Sequence, residues 1–426
     1  MDSEHLKLKH RVSRLDFSRE NTKNSKGLTF ENTVGLILGG LKSRYAKEVS
    51  EFFNFDLLKS PELIPTAAAF CQPRQKVKSD VFVDLDQDLP SDFYNSNSWE
   101  SWHDYRLVAI DGSTAHVFDS EENAEFFKGW HGKNGKGELC PKARLSLAYD
   151  PLNRLIVDAQ ISPTSSGENQ LAELHMKESS PQDLNIFDRG YLSYRLMKEH
   201  ERLDLHYCGR VSTSLFTNLT DDFLESEEDD DVVEYIPTHV AELRYKIQGG
   251  ETGSIKVRLI KITLDSGEVE VLETNVFDKR LRVSSFNKLY HLRWGVEEEF
   301  KRLKCRDHLE EFSGTKKEIM MQDFHAAILR LNLSTVISME ARKGLKAEGS
   351  KNKYYHATNM SLALGYLAIT LRKLRENSTE KEMATLLLNI THSLERSSIP
   401  IRPDRVFERV SKPRRAGFSL GYMRAC

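Results

Sequence analysis

Two short apolar runs that end in aspartate constrain the fold more than any other feature of the chain. Leu107-Val108-Ala109-Ile110 leads into Asp111-Gly112-Ser113, and Leu184-Asn185-Ile186-Phe187 leads into Asp188-Arg189-Gly190-Tyr191. Short, nearly continuous apolar runs are the pattern of strands buried on both faces. Between them Arg144–Tyr149 alternates as a strand, Asp150-Pro151-Leu152-Asn153 makes a turn, Arg154–Ile161 returns, and Glu168–Met176 has helical spacing. A helix, Leu192–His200, and a strand, Leu205–Val211, follow the second run. Strand, antiparallel hairpin, helix, strand, helix, strand specifies a mixed α/β sheet with helices packed on it. Ligands of open α/β sheets bind beyond the carboxyl ends of strands, so both aspartates stand where chemistry is expected.

The flanks have other periods. Phe30–Leu41 and Tyr45–Phe53 are helical by spacing, and Thr66 is placed to cap a short helix over Ala67–Phe70. Ser212–Asp278 shows strand-like segments at Glu242–Ile247, Ser254–Thr263 and Glu268–Thr274 with no helical period, which predicts an all-β insertion. Its acidic run, Asp221–Glu234, has nine carboxylates in fourteen residues. A solvated loop accounts for it; calcium is the alternative, without EF-hand spacing. From Phe286 the period is helical again, over Tyr290–Lys304, Ile319–Ala341, Ser361–Arg375 and Glu380–Leu394.

Composition excludes some classes. With 39% hydrophobic residues in 426, the chain can bury cores and is not wholly disordered. No stretch approaches 18 uninterrupted apolar residues, so no membrane span is expected. The first residues, Met1–Arg14, are charged and lack the apolar core of a secretory signal. Five scattered cysteines without a CxxC predict neither a disulfide framework nor structural zinc, and point to a reducing cytoplasm. The net charge of -3 hides segregation: Met1–Phe30 has seven Lys/Arg against four Asp/Glu, and Ile399–Cys426 has seven against two. Local patches, not the sum, decide what a surface attracts.

The segment Tyr290–Lys304 carries the sharpest chemistry. With Tyr290 at zero and about 100° per residue, Arg293, Glu297 and Lys304 fall near about 300°, 340° and 320°. They share one face, beside an apolar stripe of Leu292, Val296, Phe300 and Leu303. A salt-bridged surface helix is the plain alternative. Against it, the stripe begins with an aromatic, and two further carboxylates already stand at strand ends. Two Asp and one Glu from separate elements suit a pair of Mg²⁺ or Mn²⁺ ions, which take oxygen ligands and act on phosphoryl transfer as a pair. Arg293 and Lys304 would hold phosphates.

The chain resembles bacterial insertion-sequence DDE transposases of the cut-and-paste group marked by Tyr-x2-Arg-x3-Glu-x6-Lys, which Tyr290, Arg293, Glu297 and Lys304 match in full. Ile110-Asp111-Gly112-Ser113 resembles the family's first-aspartate strand, Phe187-Asp188-Arg189-Gly190-Tyr191 its second, and Met321-Gln322-Asp323-Phe324-His325 the stretch after its catalytic helix. The resemblance implies a ribonuclease-H-like core interrupted by a β insertion, with helical N- and C-terminal regions. It implies Asp111, Asp188 and Glu297 as catalytic metal ligands for two Mg²⁺ or Mn²⁺ ions, and Tyr290, Arg293, Lys304 and Arg189 as DNA contacts. The implied reaction is nicking at inverted-repeat ends of double-stranded DNA, often a hairpin, then strand transfer into target DNA. The expected partner is a second copy of the chain on paired ends; the expected location is the bacterial cytoplasm, at the nucleoid. A silent DNA-binding regulator and a structure-specific nuclease are the rival functions.

The expected division is 1–80 for end binding, 81–211 and 281–345 for the core, 212–280 for the insertion, and 346–426 for dimerisation. Some relatives stack a flipped base on a Trp of the insertion; none of the four Trp lies there, and Phe216, Tyr235 or Tyr245 would substitute. The Gly-rich, basic Trp130–Gly137 is read as a loop, with phosphate contact as the alternative, because it does not follow P-loop spacing. His116 is read as structural.

Overall fold

The computed structural model describes residues 28–41, 44–53, 64–95, 99–130, 140–264, 267–348, 354–375 and 379–402. The basic N-terminal stretch before Leu28, the Gly-rich loop after Trp130 and the Arg-rich tail after Arg402 lie outside the described residues. The chain divides into two compact units: Phe93–Thr114 with Arg144–Lys301, and the remainder.

The first unit is built on the sheet. Its strands are β1 (Arg106–His116), β3 (Cys140–Asp150), β4 (Leu155–Pro163), β5 (Asp183–Phe187), β6 (His206–Arg210), β7 (Asp230–Tyr235), β8 (Ile255–Thr263) and β9 (Val269–Thr274). Their order is β3-β1-β5-β6-β9-β8-β7, with β4 also paired to β3. β2 (Gly129–Trp130) pairs with the first residues of β3. β1, β5 and β6 are parallel, and β9, β8 and β7 continue the sheet antiparallel.

Residue alternation divides the strand side chains between two cores. Val108, Ile110, Phe187 and Tyr207 pack on one face with α6 (Glu168–Lys177), α7 (Tyr194–Leu203), α8 (Thr217–Glu225) and α9 (His239–Ile247). Leu107, Leu184, Ile186 and Cys208 pack on the other with Phe286, Leu289 and Tyr290 of α10 (Val283–Leu292). Helix cover on both faces is why the runs before Asp111 and Asp188 are so apolar. The α/β class and mixed sheet expected from the sequence are present. The 212–280 stretch differs from the all-β expectation: it holds α8 and α9 beside its three strands, and Glu242–Ile247 is helical. Thr238 caps α9, its side chain accepting from Ala241 N at 3.3 Å, and this local signal outweighs the β-branched and aromatic content that suggested a strand.

The second unit is helical. It contains α1 (Phe30–Leu38), α2 (Tyr45–Phe52), α3 (Ala67–Arg74), α4 (Asp80–Asn95, whose last residues belong to the first unit), α5 (Glu121–Phe127), α12 (Lys317–Ile337), α13 (Met339–Glu348), α14 (Met360–Arg375) and α15 (Glu380–Arg396). Between the sheet unit's α11 (Trp294–Lys301) and α12 comes a π-helical turn, Arg302–Arg306; a short antiparallel strand pair, β10 (Tyr355–Ala357) with β11 (Ile399–Ile401), completes the unit. Thr66 caps α3 as expected, accepting from Ala69 N at 3.1 Å. α1, α3 and α4 bury Val34, Ile37, Phe70 and Phe82 against Ala326 and Leu329 of α12. A buried ion pair fastens this core: Arg330 meets Asp307 at 2.6 Å and reaches the carbonyls of Ile37 and Leu38 at the end of α1. Among the described residues no helix is long and apolar enough to cross a membrane, and Cys71, Cys208 and Cys305 are free thiols.

Candidate active site

The register of β1 on β5 runs from Arg106↔Asp183 to Ile110↔Phe187. The next residue on each strand is an aspartate, so adjacent parallel strands deliver Asp111 and Asp188 side by side. β1 does not stop at Asp111, as the apolar run suggested; it continues to His116. What ends there is the parallel pairing and the full burial of Leu107–Ile110.

Glu297 comes from α11. The segment expected as one helix, Tyr290–Lys304, is three pieces: α10 ends at Leu292, α11 follows, and Lys304 falls in the π-helical turn. Tightened turns, with Arg293 N to Tyr290 O at 3.1 Å and Val296 N to Arg293 O at 3.2 Å, mark the first break. A uniform step of about 100° therefore does not hold across the motif. Gly295 has a packing reason: a Cβ there would sit 3.0 Å from Pro151 Cβ and 3.3 Å from a Tyr149 ring carbon. Its absence lets α11 lie against the β3–β4 turn.

Arg293 is the hub. Its side chain is 5% exposed, and one guanidinium nitrogen donates to Glu297 Oε1 at 3.1 Å. The group lies 5.6 Å from the Tyr290 ring centre and 5.3 Å from that of Trp294. Tyr290 donates its hydroxyl to Asp188 Oδ1 at 3.0 Å. Arg210, at the end of β6, reaches the same oxygen at 3.2 Å and pairs with Glu270. Arg210 belongs to no motif recognised in the sequence; its only signal was its place at the end of the third parallel strand. The Arg189 side chain is exposed, while its backbone N–H holds Asp188. Lys304 belongs to the helical unit.

The two aspartates are tuned apart. Burial pushes the Asp111 carboxyl up to about 6, and the charges of Glu297 and Asp188 add to the rise against the Gly112 N–H and Arg293. Burial also raises Asp188, but the Arg189 N–H, Arg293, Arg210 and the Tyr290 hydroxyl outweigh it and hold that carboxyl below its ordinary value. Arg293 thus hydrogen-bonds Glu297 and its charge also favours the ionised forms of Asp111 and Asp188.

The donor set is all carboxylate oxygen, the chemistry of a hard divalent cation, and mutual repulsion on Asp111 is the strain such a cation relieves. Among the described residues no three His, Cys, Asp or Glu side chains are gathered closely enough to cage a metal; Tyr290, Arg210 and Arg293 hold the carboxylates instead. The aromatics expected to stack a flipped base do not stand free: Phe216, Tyr235 and Tyr245 are all buried in the sheet core. Trp294, 50% exposed, is the open aromatic of the motif.

A raised carboxylate has a thermodynamic consequence. Asp111 binds its proton more tightly folded, at about 6, than unfolded, near 3.8. Its contribution to stability is greatest below the unfolded value and is lost as pH rises from there through about 6. At neutral pH the ionised group costs the metal-free fold about 1–3 kcal/mol. Asp111→Asn should therefore raise the melting temperature in chelator at neutral pH, and the gain should shrink by about pH 5. A gain that is equal at both pH values would show that another effect is responsible.

Three comparisons with known proteins bear on the family. A family model described as the transposase DDE domain matches residues 102–333. The chain is 23% identical over 352 residues to the transposase InsG of insertion sequence element IS4 from Escherichia coli strain K12, covering 82% of this chain and 76% of that protein. A search of solved structures finds the piggyBac transposase in a synaptic complex with hairpin DNA, at TM-score 0.46 and 11% identity, covering 91% of this chain and 83% of that one. Since the family model spans more than half of the sequence and takes in both aspartate strands and the glutamate helix, the chain belongs to the DDE transposase family, enzymes that cleave and join DNA strands.

Proposed function

We propose that Asp111, Asp188 and Glu297 are the catalytic carboxylates and that they hold two Mg²⁺ or Mn²⁺ ions. Enzymes of this family generally use divalent metal ions. The observation that carries the reading is the pairing of β1 with β5, which puts Asp111 and Asp188 on adjacent strand ends, with Tyr290 of the glutamate motif on Asp188 and Arg293 on Glu297. A bound metal pair would stabilise the attacking and leaving oxygens of the phosphoryl displacement.

The chain's own residues supply the rest. Arg293 and Tyr290 bind terminal phosphates, and Arg293 is held for it by its bond to Glu297 and by the nearby Tyr290 and Trp294 rings. Tyr290 also orients Asp188 through its hydroxyl. Arg189, exposed beside Asp188, and Lys304 add phosphate contacts. The substrate is double-stranded DNA bearing inverted-repeat ends, followed by target DNA. Residues 1–80 recognise the ends, 81–211 and 281–345 form the core, 212–280 the insertion, and 346–426 pair two protomers.

The test is a plasmid carrying two copies of the DNA that flanks the gene, incubated with the protein in Mg²⁺ or in EDTA. Excision of the intervening segment in Mg²⁺ alone is the expected result. End binding without cleavage in either condition would overturn the enzymatic reading for this chain.

A further inference from the structure

The helical part of the insertion leaves one apolar face uncovered. α9 is seated through Tyr245, which is buried; its ring centre lies 5.8 Å from that of Tyr194 and its hydroxyl donates to Glu199 Oε1 at 2.9 Å. At about 100° per residue, Val240, Leu243 and Ile247 fall within about 60° of one another and roughly opposite Tyr245. They are 56%, 48% and 76% exposed, and Ile236, just before the helix, is 69% exposed. A surface helix ordinarily turns such a stripe towards its core. Four large aliphatic side chains in a row on the outside mark a surface that a partner covers.

The stripe carries opposite charge at its two ends. Asn218 Nδ2 donates to the Ile236 carbonyl at 3.0 Å, which brings α8 to the start of the stripe. Three and four residues further on, Asp221 and Asp222 share the face of Asn218, and both are exposed. At the other end Arg244 and Lys246, also exposed, stand in the last turn of α9. DNA does not suit this surface, because the neighbouring run Asp221–Glu234 has nine carboxylates. A second α9 laid antiparallel does. A two-fold axis near Leu243 sets stripe on stripe and brings the basic end of each copy to the acidic end of the other. Pairing through β7, the last strand of the sheet, is opposed by the exposed Asp231 and Glu234 on that strand.

We propose that this face docks on the same face of a second copy of the chain, α9 against α9, as a contact separate from the pairing assigned to residues 346–426. The apolar stripe supplies the attraction, and the charged ends fix its antiparallel sense. The helix has 9 residues and is therefore about 14 Å long. A contact of that length falls short of the roughly 1,200 Å² typical of a stable interface, so by itself it holds two copies weakly. It takes effect where two copies are already kept close together, at an effective concentration of about 1 mM.

The test is disulfide linking between full-length chains at high protein concentration, with folding checked by melting temperature. Leu243→Cys, at the two-fold axis, should link into dimers about tenfold more than Glu228→Cys, an exposed position off the stripe. Wild type gives the background of its own five cysteines. In the Leu243→Cys chain, Asp221→Lys with Asp222→Lys should cut linking about tenfold, because like charges then meet at both ends. Arg244→Glu with Lys246→Glu should do the same. All four together restore opposite pairs and should bring the yield back to within about twofold of the Leu243→Cys parent. Linking by Leu243→Cys no greater than by Glu228→Cys would overturn the proposal. So would charge-reversed pairs that link as well as their parent, or a folded fourfold variant that stays unlinked. An unlinked Leu243→Cys thiol that becomes shielded from a maleimide only when DNA is added would give the face to DNA instead. None of these readouts needs cleavage, so their failure is distinct from failure of the catalytic reading.

Discussion

Asp188→Asn should abolish strand cleavage, by about 10³-fold or more, or about 4 kcal/mol of transition-state stabilisation. The substitution keeps the shape and one carbonyl oxygen, so the Tyr290 hydroxyl retains an acceptor where it now meets Oδ1 at 3.0 Å, as does Arg210. What it removes is the charge. Asp188 is the carboxylate held below its ordinary value by its surroundings, so it is fully ionised at neutral pH and ready for a cation. End binding, which depends on phosphate contacts made by other residues, should change little. The comparison to make is cleavage against band-shift affinity on the same DNA. An Asn variant that still cleaves at a tenth of the wild-type rate would move the chemistry away from this aspartate.

The second large effect is on stability. Arg330→Met should destabilise the protein by about 3–5 kcal/mol, the usual consequence of removing one partner of a buried pair. Arg330 and Asp307 are 6% and 5% exposed. The same guanidinium reaches the carbonyls of Ile37 and Leu38, which lie in the last turn of α1 and lack intrahelical donors. Removing it takes the cation from a buried carboxylate and one side-chain donor from the carbonyls at the end of α1. The double variant Arg330→Met with Asp307→Leu should recover part of the loss, because no charge then remains buried. Urea unfolding of the three proteins would measure this. A loss under about 1 kcal/mol in the single variant would mean that water replaces the pair.

Neither effect is equally legible in the sequence. Asp111 and Asp188 were proposed because strand burial leaves a local trace: apolar runs that stop. Glu297 was proposed because it stands at the Tyr-x2-Arg-x3-Glu-x6-Lys spacing with Tyr290, Arg293 and Lys304. Arg210 left no such trace, since a single arginine at a strand end looks like any other; only the β5–β6 pairing brings it to Asp188. The meeting of Tyr191 and Glu168 beside Gly112 likewise left no trace along the chain. Phe216, Tyr235 and Tyr245 were misread as open because aromatic residues have the same composition whether they stack on a ligand or on each other; here Tyr194 packs near both Tyr235 and Tyr245.

The sequence by itself determined the class of the fold and the order of the strands and helices around the two aspartate runs, and it nominated the three carboxylates, because hydrophobic periodicity and capping act over a few residues and are written along the chain. Tertiary structure alone decided how those carboxylates are charged and who attends them. The up-shift of Asp111, the down-shift of Asp188 and the central place of Arg293 depend on burial and on distances between residues that are 77 to 186 positions apart in sequence, counted from Asp111 to Asp188 and to Glu297. Desolvation and Coulomb interaction act through space, and no local pattern records them.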